Sequence, residues 1–330
     1  MTEPQVAIIG LGRTGSSIGL ALRRAEPQFD IVGHDKDRAV SREAHKLGAV
    51  VKWEGNLISA IEEADLVIIA TPLMAIREIL EATGPYLKPD CVLTDTANVK
   101  GQVLEWADEL LPDTAHFVGG HPMIGVSATD GDDATPDLFV GSTYCLVPSG
   151  TAHPAAIELV TSMVRALGAE PFFLDVAEHD GQVAGVEHLP LILATALLMT
   201  TAEAPSWRDL QRLSGSAFWR ATQFPSPDPA VNRSICVANR ENISRWIDPY
   251  IDSLRHLQQK LADADDDTWE ELFTVLTDTR ARWMAGRGTP EEEAARVEMD
   301  ELRGMRTFGA MFGLSQFRDL RKKLEQREPK

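Results

Sequence analysis

The sequence contains only three cysteines, Cys91, Cys145 and Cys236, and they are widely spaced. An odd number of cysteines without paired spacing argues against a disulfide framework and against a zinc site. We therefore interpret each cysteine as a small buried residue rather than as a nucleophile. The histidines and acidic residues show no spacing typical of metal ligands, so we expect no metal. These absences favour a cytoplasmic protein.

Long apolar runs are also missing. A membrane-spanning helix needs about 20 predominantly apolar residues, and the longest candidate, Leu189–Met199, is shorter and lies in the middle of the chain. The first residues, Met1–Pro4, lead almost directly into an apolar stretch and lack the basic region and cleavage site of a signal peptide. We therefore expect no association with a membrane.

Basic residues are scarce relative to acidic ones, with 32 Lys and Arg against 50 Asp and Glu and a net charge of -18. Non-specific binding of nucleic acid requires a basic surface, so we do not expect nucleic acid as a partner. A small anionic substrate is compatible with this composition, because a few donors inside a pocket can outweigh a diffuse negative field.

The first half of the chain alternates short apolar runs with amphipathic segments, which is the pattern of a parallel sheet covered by helices. The predicted strands are Val6–Ile9, Phe29–Gly33, Leu66–Ala70, Cys91–Thr94, His116–Val118, Tyr144–Val147 and Phe172–Leu174. Helices are predicted at about Thr14–Arg24 and Arg38–Leu47. The pattern predicts an α/β Rossmann fold with a doubly wound, mostly parallel sheet.

After about Asp175 the strand-like runs disappear and the pattern becomes helical. The predicted helices are Glu178–Thr201, Trp207–Arg220, Ala230–Arg255 and Asp267–Met284, and the tail Pro290–Lys330 is also helical in pattern. We therefore predict a Rossmann domain over residues 1–174 and an all-α domain for substrate binding and dimerisation over residues 175–330. The all-α part carries more apolar residues than one small bundle needs, which suggests a homodimer.

A glycine-rich loop, Gly10-Leu11-Gly12-Arg13-Thr14-Gly15, follows the first predicted strand and opens the first predicted helix. In the dinucleotide-binding fingerprint the first glycine permits a tight turn, the second lets the backbone approach the pyrophosphate, and the third lets helix and strand pack closely. The exposed N–H groups and the helix dipole then hold the phosphates. Asp35 follows Gly15 by about 20 residues, where a carboxylate can accept hydrogen bonds from the adenosine ribose. Thr71 and Pro72, after a buried strand, complete the predicted cofactor site.

The identity of the predicted cofactor depends on the charges near Asp35. A carboxylate there favours NAD, because it repels the 2′-phosphate of NADP. Lys36, Arg38 and Arg13 stand close by in sequence and could offset this repulsion, or they could be ordinary surface charges. We therefore expect NAD and leave NADP open.

Three further segments resemble a known family: Thr94–Gly101, Gly119–Gly125, and Glu178-His179-Asp180 followed by His188-Leu189-Pro190. Together they resemble the prephenate dehydrogenase family, with similarity from Val6 to about Asn242. The resemblance implies an NAD(P)-dependent enzyme of tyrosine biosynthesis that oxidises prephenate or arogenate at the ring hydroxyl. Loss of the ring carboxylate then yields 4-hydroxyphenylpyruvate or tyrosine.

The resemblance also implies catalytic roles for His121, Asn98 and His188. An imidazole, with an unperturbed pKa of about 6.5, suits His121 for accepting the proton of the substrate hydroxyl. His121 is expected to follow a Gly-Gly turn at the carboxyl end of a strand, where ligands bind in open α/β sheets. Asn98 stands where the family usually has Ser and could orient His121 or the hydroxyl. Lys100 is either part of this site or a surface lysine, and His188 either faces the substrate or is a buried structural histidine.

The departures from the family fall on the substrate side. The second histidine of its His-Leu-Pro-His motif is Leu191 here, and Ser127 lies where the family has a polar pair. The arginine that grips a carboxylate of prephenate aligns with Gln223, which cannot replace a bidentate guanidinium. Arg220, three residues earlier and therefore on the same face of a helix, could take over anion binding, as could Arg233. Arg220, Gln223, Ser127 and Arg233 are the predicted substrate-binding residues.

Two alternative functions stay open. A related dehydrogenase could act on a different hydroxylated carboxylate, although the β-hydroxyacid dehydrogenases normally use a lysine on the long interdomain helix, and Glu178–Thr201 contains none. A cofactor-binding regulatory protein without catalysis would explain the missing substrate residues, but it leaves His121 in its Gly-Gly-His-Pro setting unexplained.

Overall fold

The computed structural model describes residues 5–25, 29–124, 133–224, 226–263 and 266–286. The described chain divides into two compact units, of which the second is Val176–Ala281 and the first takes the remaining residues. The predicted helical tail from Pro290 and the predicted substrate residue Ser127 lie outside the described residues.

The first unit contains one eight-stranded sheet whose strands follow the order β3-β2-β1-β4-β5-β6-β7-β8. In chain order the strands are β1 (Gln5–Ile9), β2 (Asp30–His34), β3 (Lys52–Trp53), β4 (Leu66–Ile69), β5 (Val92–Asp95), β6 (His116–Met123), β7 (Thr143–Pro148) and β8 (Glu170–Phe173). All neighbouring strands are parallel except β6 and β7. The predicted Rossmann fold class, including its helical second part, is confirmed.

Helices alternate with these strands and cover the sheet. They are α1 (Arg13–Ala25), α2 (Arg38–Leu47), α3 (Leu57–Ile61), α4 (Leu73–Thr83), α5 (Gly101–Leu110) and α6 (Pro154–Ala166), with a 3₁₀ turn at Gly84–Tyr86. Strands β1 and β4 are apolar without alternation and almost fully buried, as expected for parallel strands covered on both faces. The strand order reverses between β1 and β4, and ligands of such sheets bind at the carboxyl ends of the strands at this point.

The part of the chain after Asp175 is helical. It contains α7 (Val176–Val183), a π-helical turn (Ala184–His188), α8 (Leu189–Ala202), α9 (Trp207–Leu213), α10 (Ser216–Ala221), α11 (Pro229–Ala238), α12 (Arg240–Asp263) and α13 (Asp266–Gly286).

Two helices that the sequence predicts as continuous are each divided in two. The predicted helix Trp207–Arg220 breaks at Ser214 and Gly215, which favour non-helical backbone. The predicted helix Ala230–Arg255 breaks at Asn239, which ends α11. Apolar periodicity does not reveal such breaks, because the residues on both sides of the break have helical spacing.

Within the part of the chain that the structure describes, one helix is long and apolar enough to cross a membrane, by length and composition only. It is Val176–Ala202, 27 residues long, in which an apolar window of 18 residues has a mean hydropathy of 1.6. The sequence predicted this helix as Glu178–Thr201, close to its observed bounds, but compared only its uninterrupted apolar run, Leu189–Met199, with the length of a membrane span. His179 and His188 lie fully buried on this helix, and 33% of its apolar window is buried in the protein. Histidines buried inside the protein favour a core helix over a lipid-facing one.

All three cysteines are free. Cys91 and Cys145 are buried, as predicted, whereas Cys236 is only half-buried. Burial raises the pKa of the Cys91 thiol to about 12, so this cysteine stays protonated near neutral pH and cannot act as a thiolate nucleophile.

Tyr144 on β7 is a buried polar residue in the sheet. Its side chain is fully buried, and its hydroxyl has no hydrogen-bond partner among the described residues. Burial raises the pKa of Tyr144 above its usual value, so the phenol stays neutral. We expect Tyr144→Phe to leave the free energy of unfolding unchanged or to raise it by about 1 kcal/mol, since an unmade buried hydrogen bond costs about 1–3 kcal/mol.

Urea unfolding followed by circular dichroism measures this effect. Tyr86→Phe, at a side chain that is 56% exposed, is the matched control and should change nothing. A clear loss of stability in Tyr144→Phe would mean that the hydroxyl makes a stabilising bond.

Candidate active site

The glycine-rich loop connects β1 to α1 through two close backbone approaches. Gly10 has a φ of +90°, and a Cβ placed there would lie 2.4 Å from the carbonyl oxygen of Ala70. A Cβ on Gly15 would lie 1.9 Å from the carbonyl oxygen of Gly10. Around Gly12, by contrast, there is open space within 4 Å of the Cβ position. The loop is therefore closed on the protein side and open at Gly12, which is the shape that a pyrophosphate needs.

Asp35 follows β2 and is tied to the same loop. Its Oδ2 accepts a hydrogen bond from the backbone N–H of Leu11 at 2.9 Å, and its Oδ1 accepts from the N–H of Asp37 at 2.8 Å. The N–H of Gly10 donates to the carbonyl oxygen of His34 at 2.8 Å. Each carboxylate oxygen can accept a second bond, so Asp35 retains acceptors for ribose hydroxyls. These residues fit an adenine dinucleotide.

Thr71 and Pro72 lie beyond the carboxyl end of β4, beside this loop. The Thr71 Cγ2 would lie 2.8 Å from a Cβ on Gly10, and the Thr71 hydroxyl is buried without a hydrogen-bond partner in the described part of the chain. Pro72 is the residue before α4. The predicted cofactor residues therefore share one edge of the sheet, at its switch point.

A buried ion pair lies further along this edge. Asp95 ends β5, Lys100 precedes α5, and both side chains are 0% exposed. Lys100 Nζ donates to Asp95 Oδ2 and, at 2.7 Å, to the carbonyl oxygen of Gly120. The Asp95 carboxylate also accepts the N–H groups of Ala97 at 2.9 Å and of Gly120 at 3.1 Å. Of the two alternatives that the sequence left open for Lys100, the surface lysine is therefore wrong.

His121 lies inside strand β6 and is buried. The expected Gly-Gly turn before it was wrong, because Gly119 and Gly120 also belong to β6. These glycines serve close packing instead: a Cβ on Gly120 would lie 2.5 Å from the carbonyl oxygen of Asp95, and one on Gly119 would lie 2.9 Å from that of Val147. Strand β6 pairs with β5 only up to Val118, so His121 lies beyond the carboxyl end of β5.

Asn98 lies in the loop between β5 and α5, within the segment that the Asp95–Lys100 pair closes. Both predicted catalytic residues of the first unit, Asn98 and His121, are thus adjacent in sequence to residues held by this pair. Sequence reasoning quoted Asp95 as part of a motif but gave it no role. The signal that could have identified Asp95 is an apolar strand that ends in an acid, followed five residues later by a lysine.

In the second unit His188 is held by Asn239. Asn239 Nδ2 donates to the carbonyl oxygen of Asp180 at 2.8 Å and lies 3.1 Å from His188 Nδ1. The Asn242 Nδ2 donates to Asn239 Oδ1 at 2.8 Å. Because a carbonyl oxygen can only accept, the Asn239 nitrogen is the donor, and His188 Nδ1 accepts. The neutral imidazole of His188 therefore carries its proton on Nε2, and Asn239 is a residue whose role the sequence did not reveal.

The three described residues predicted to bind substrate all lie exposed in the second unit. Arg220 is on α10, where its Nε donates to the Ser216 carbonyl oxygen at 3.4 Å, and Arg233 is on α11. Gln223 follows the end of α10 at Ala221. The expectation that Arg220 and Gln223 share a helical face was therefore wrong.

The fold and the site of the first unit define a class of protein. A Rossmann sheet with a glycine-rich loop, an acid after β2 and a buried histidine beyond β5 is the arrangement of an NAD(P)-dependent dehydrogenase. The family model of the prephenate dehydrogenase nucleotide-binding domain matches residues 18–172, and that of the prephenate dehydrogenase dimerization domain matches residues 175–277. The chain belongs to the prephenate dehydrogenase family.

Individual relatives agree with this assignment. The prephenate dehydrogenase of Bacillus subtilis is 29% identical over 279 residues, which cover 83% of this chain and 75% of that protein. The structure of prephenate dehydrogenase from A. aeolicus in complex with hydroxyphenyl propionate and NAD+ has a TM-score of 0.74 at 26% identity, covering 86% of this chain and 99% of that one. Synechocystis arogenate dehydrogenase has a TM-score of 0.67 at 26% identity, covering 85% and 99%. The protein is a prephenate dehydrogenase-like oxidoreductase.

Two of the three glycines of the loop, Gly12 and Gly15, should separate cofactor binding from folding. Gly12→Ala adds a methyl group to open space, so we expect a normal melting temperature but at least about tenfold weaker NAD binding, a loss of about 1.4 kcal/mol. Gly15→Ala forces a methyl group against the Gly10 carbonyl, and overpacking of this kind costs about 1–3 kcal/mol or more of stability.

Isothermal titration calorimetry with NAD and thermal unfolding measure the two effects on each variant. Gly150→Ala, at another position with open space around the Cβ, is the control for the substitution itself. Unchanged NAD affinity in Gly12→Ala would contradict the assignment of this loop.

Proposed function

We propose that the protein catalyses the NAD-dependent oxidative decarboxylation of prephenate or arogenate, yielding 4-hydroxyphenylpyruvate or tyrosine. The observation that carries this proposal is the position of His121, buried in β6 beyond the end of β5, on the same edge of the sheet as the dinucleotide loop. Membership of the prephenate dehydrogenase family supports it.

His121 is proposed as the acceptor of the proton of the substrate hydroxyl. The nicotinamide ring, when bound, supplies the hydride acceptor. As the hydroxyl proton passes to the imidazole and the hydrogen on the same carbon leaves as hydride, the carbinol becomes a carbonyl. The ring carboxylate then leaves as carbon dioxide, and its bonding electrons pass through the ring to the carbonyl oxygen, which takes up a proton and becomes the phenol hydroxyl of the aromatic product. Asn98 is proposed to orient His121 or the hydroxyl through its amide, which can both donate and accept.

Substrate recognition is assigned to residues that differ from the usual family set. Arg220 and Arg233 are exposed cations in helices of the second unit and are proposed to bind carboxylates, with Gln223, Ser127 and His188 as further partners. The replacement of a family histidine by the buried Leu191 and of an arginine by Gln223 supports one alternative, a related dehydrogenase for another hydroxylated carboxylate.

We also propose that the enzyme is a homodimer in the cytoplasm, with a Rossmann domain over residues 1–174 and a helical substrate-binding and dimerisation domain over residues 175–330. The match of the dimerization-domain model to residues 175–277 supports this arrangement.

The first test is turnover itself. Purified protein is offered prephenate and arogenate separately, each with NAD and with NADP, and reduced cofactor is followed by absorbance. We expect turnover of at least one substrate, and His121→Ala should lower kcat by about 10²–10⁴-fold, the usual contribution of a general base. NAD binding should be retained.

His45→Ala, at an exposed histidine on α2, is the matched control. Turnover of neither substrate by the wild-type protein would favour the alternative dehydrogenase. Full activity in His121→Ala would remove the proposed role of this histidine.

Cofactor preference is a separate prediction that concerns Asp35. Asp35→Asn keeps an oxygen acceptor for the Leu11 N–H but removes the charge that repels a 2′-phosphate. We expect the ratio of kcat/KM for NADP to that for NAD to rise by about tenfold or more. Asp30→Asn, at the opposite end of β2, should leave the ratio unchanged.

A further inference from the structure

We infer that the buried Asp95–Lys100 pair is a positioning device that fixes the backbone beneath His121 and the loop that carries Asn98. The inference rests on the proposed function, because it assigns a role toward the residues proposed to act on the substrate. Neither Asp95 nor Lys100 is itself proposed to touch substrate.

The pair holds Gly120 by both of its backbone polar groups. The Gly120 N–H donates to Asp95 Oδ1 at 3.1 Å, and the Gly120 carbonyl oxygen accepts from Lys100 Nζ at 2.7 Å. Lys100 Nζ and Asp95 Oδ2 close the ring. Because the Gly120 carbonyl belongs to the peptide group that begins His121, the direction in which β6 presents His121 is set by these bonds.

The same pair closes the segment between β5 and α5. Asp95 Oδ2 accepts the N–H of Ala97 at 2.9 Å, and Lys100, at the other end of the segment, binds the same oxygen. Asn98 lies between these two anchors. One side-chain pair therefore fixes the backbone on both sides of the proposed reaction centre.

The neighbouring glycines are explained by the same pair. A Cβ on Gly119 would lie 3.0 Å from Lys100 Cδ, and one on Gly120 would lie 2.5 Å from the Asp95 carbonyl oxygen. Any other residue at these positions would push β6 away from the pair. The motif Gly119-Gly120-His121 thus makes room for the lysine stem and for the close approach of β5.

Stability alone is a weak reason to bury such a pair. Desolvation of two charges offsets most of their attraction, and apolar residues of similar volume are often as stable or more stable. Removing only one partner is strongly destabilising, because the other charge is left uncompensated. Removal of both charges together therefore distinguishes two roles. If the pair only stabilises the fold, activity recovers together with stability, and if the pair positions His121, stability recovers without activity.

The experiment compares Lys100→Met, Asp95→Asn and the double variant in the full-length protein. We expect each single variant to lose stability. We expect the double variant to recover most of the melting temperature, while its kcat on whichever substrate the wild type turns over stays at least about 100-fold low and its affinity for NAD stays normal. In ¹H–¹⁵N spectra the side-chain signals of His121 should shift or broaden in the double variant.

Arg77→Met is the matched control, because it breaks the exposed Arg77–Glu109 ion pair in the same unit. It should change neither kcat nor the His121 signals. A double variant with recovered stability, wild-type kcat and unmoved His121 signals would show that the pair is only structural.

The spectra keep this test separate from the proposed function. If the wild-type protein turns over neither prephenate nor arogenate, the proposed function fails, and the response of the His121 signals still decides whether the pair positions this residue. If a single variant does not fold, the double variant alone decides between a positioning role and a structural role for the pair.

Discussion

The architecture of the first unit depends on backbone segments that approach more closely than any side chain allows. Gly15 packs against the Gly10 carbonyl, Gly10 against Ala70, and Gly120 against Asp95. All these approaches occur where the strands of the parallel sheet end. The contacts bring the dinucleotide loop, the start of α4 and the proposed proton acceptor to one edge of the sheet. Neighbouring backbone fills the side-chain positions of these glycines, and the open position is that of Gly12.

The features that the sequence predicted well are local ones. The fingerprint loop, its strand and helix, and Asp35 are close in sequence, and each glycine there has a role that the spacing defines. The strands β1 and β4 are uninterrupted apolar runs, so their burial on both faces could be read directly. The family resemblance extended the prediction to His121 and Asn98, which single-sequence patterns alone do not identify.

The features that the sequence missed depend on partners that are distant in the chain. Gly119 and Gly120 were interpreted as a turn, because nothing in their neighbourhood reveals that the Asp95 carbonyl and the Lys100 stem lie against them. The sequence left Lys100 open between a site residue and a surface lysine for the same reason, since a lysine is buried only when it is paired with a specific partner. The bond of Asn239 to His188 spans two helices, and helical periodicity carries no information about it.

The placement of His121 on an interior strand of the sheet also has an evolutionary consequence. Strand β6 is paired on one side with β5 and on the other with β7, where His121 faces Cys145 in the antiparallel register. A residue on such a strand moves little when distant helices change, and sites built on rigid elements are held more accurately than sites on loops. Substitutions in the helical unit, such as those at Leu191 and Gln223, can therefore accumulate while the proposed proton acceptor stays in place.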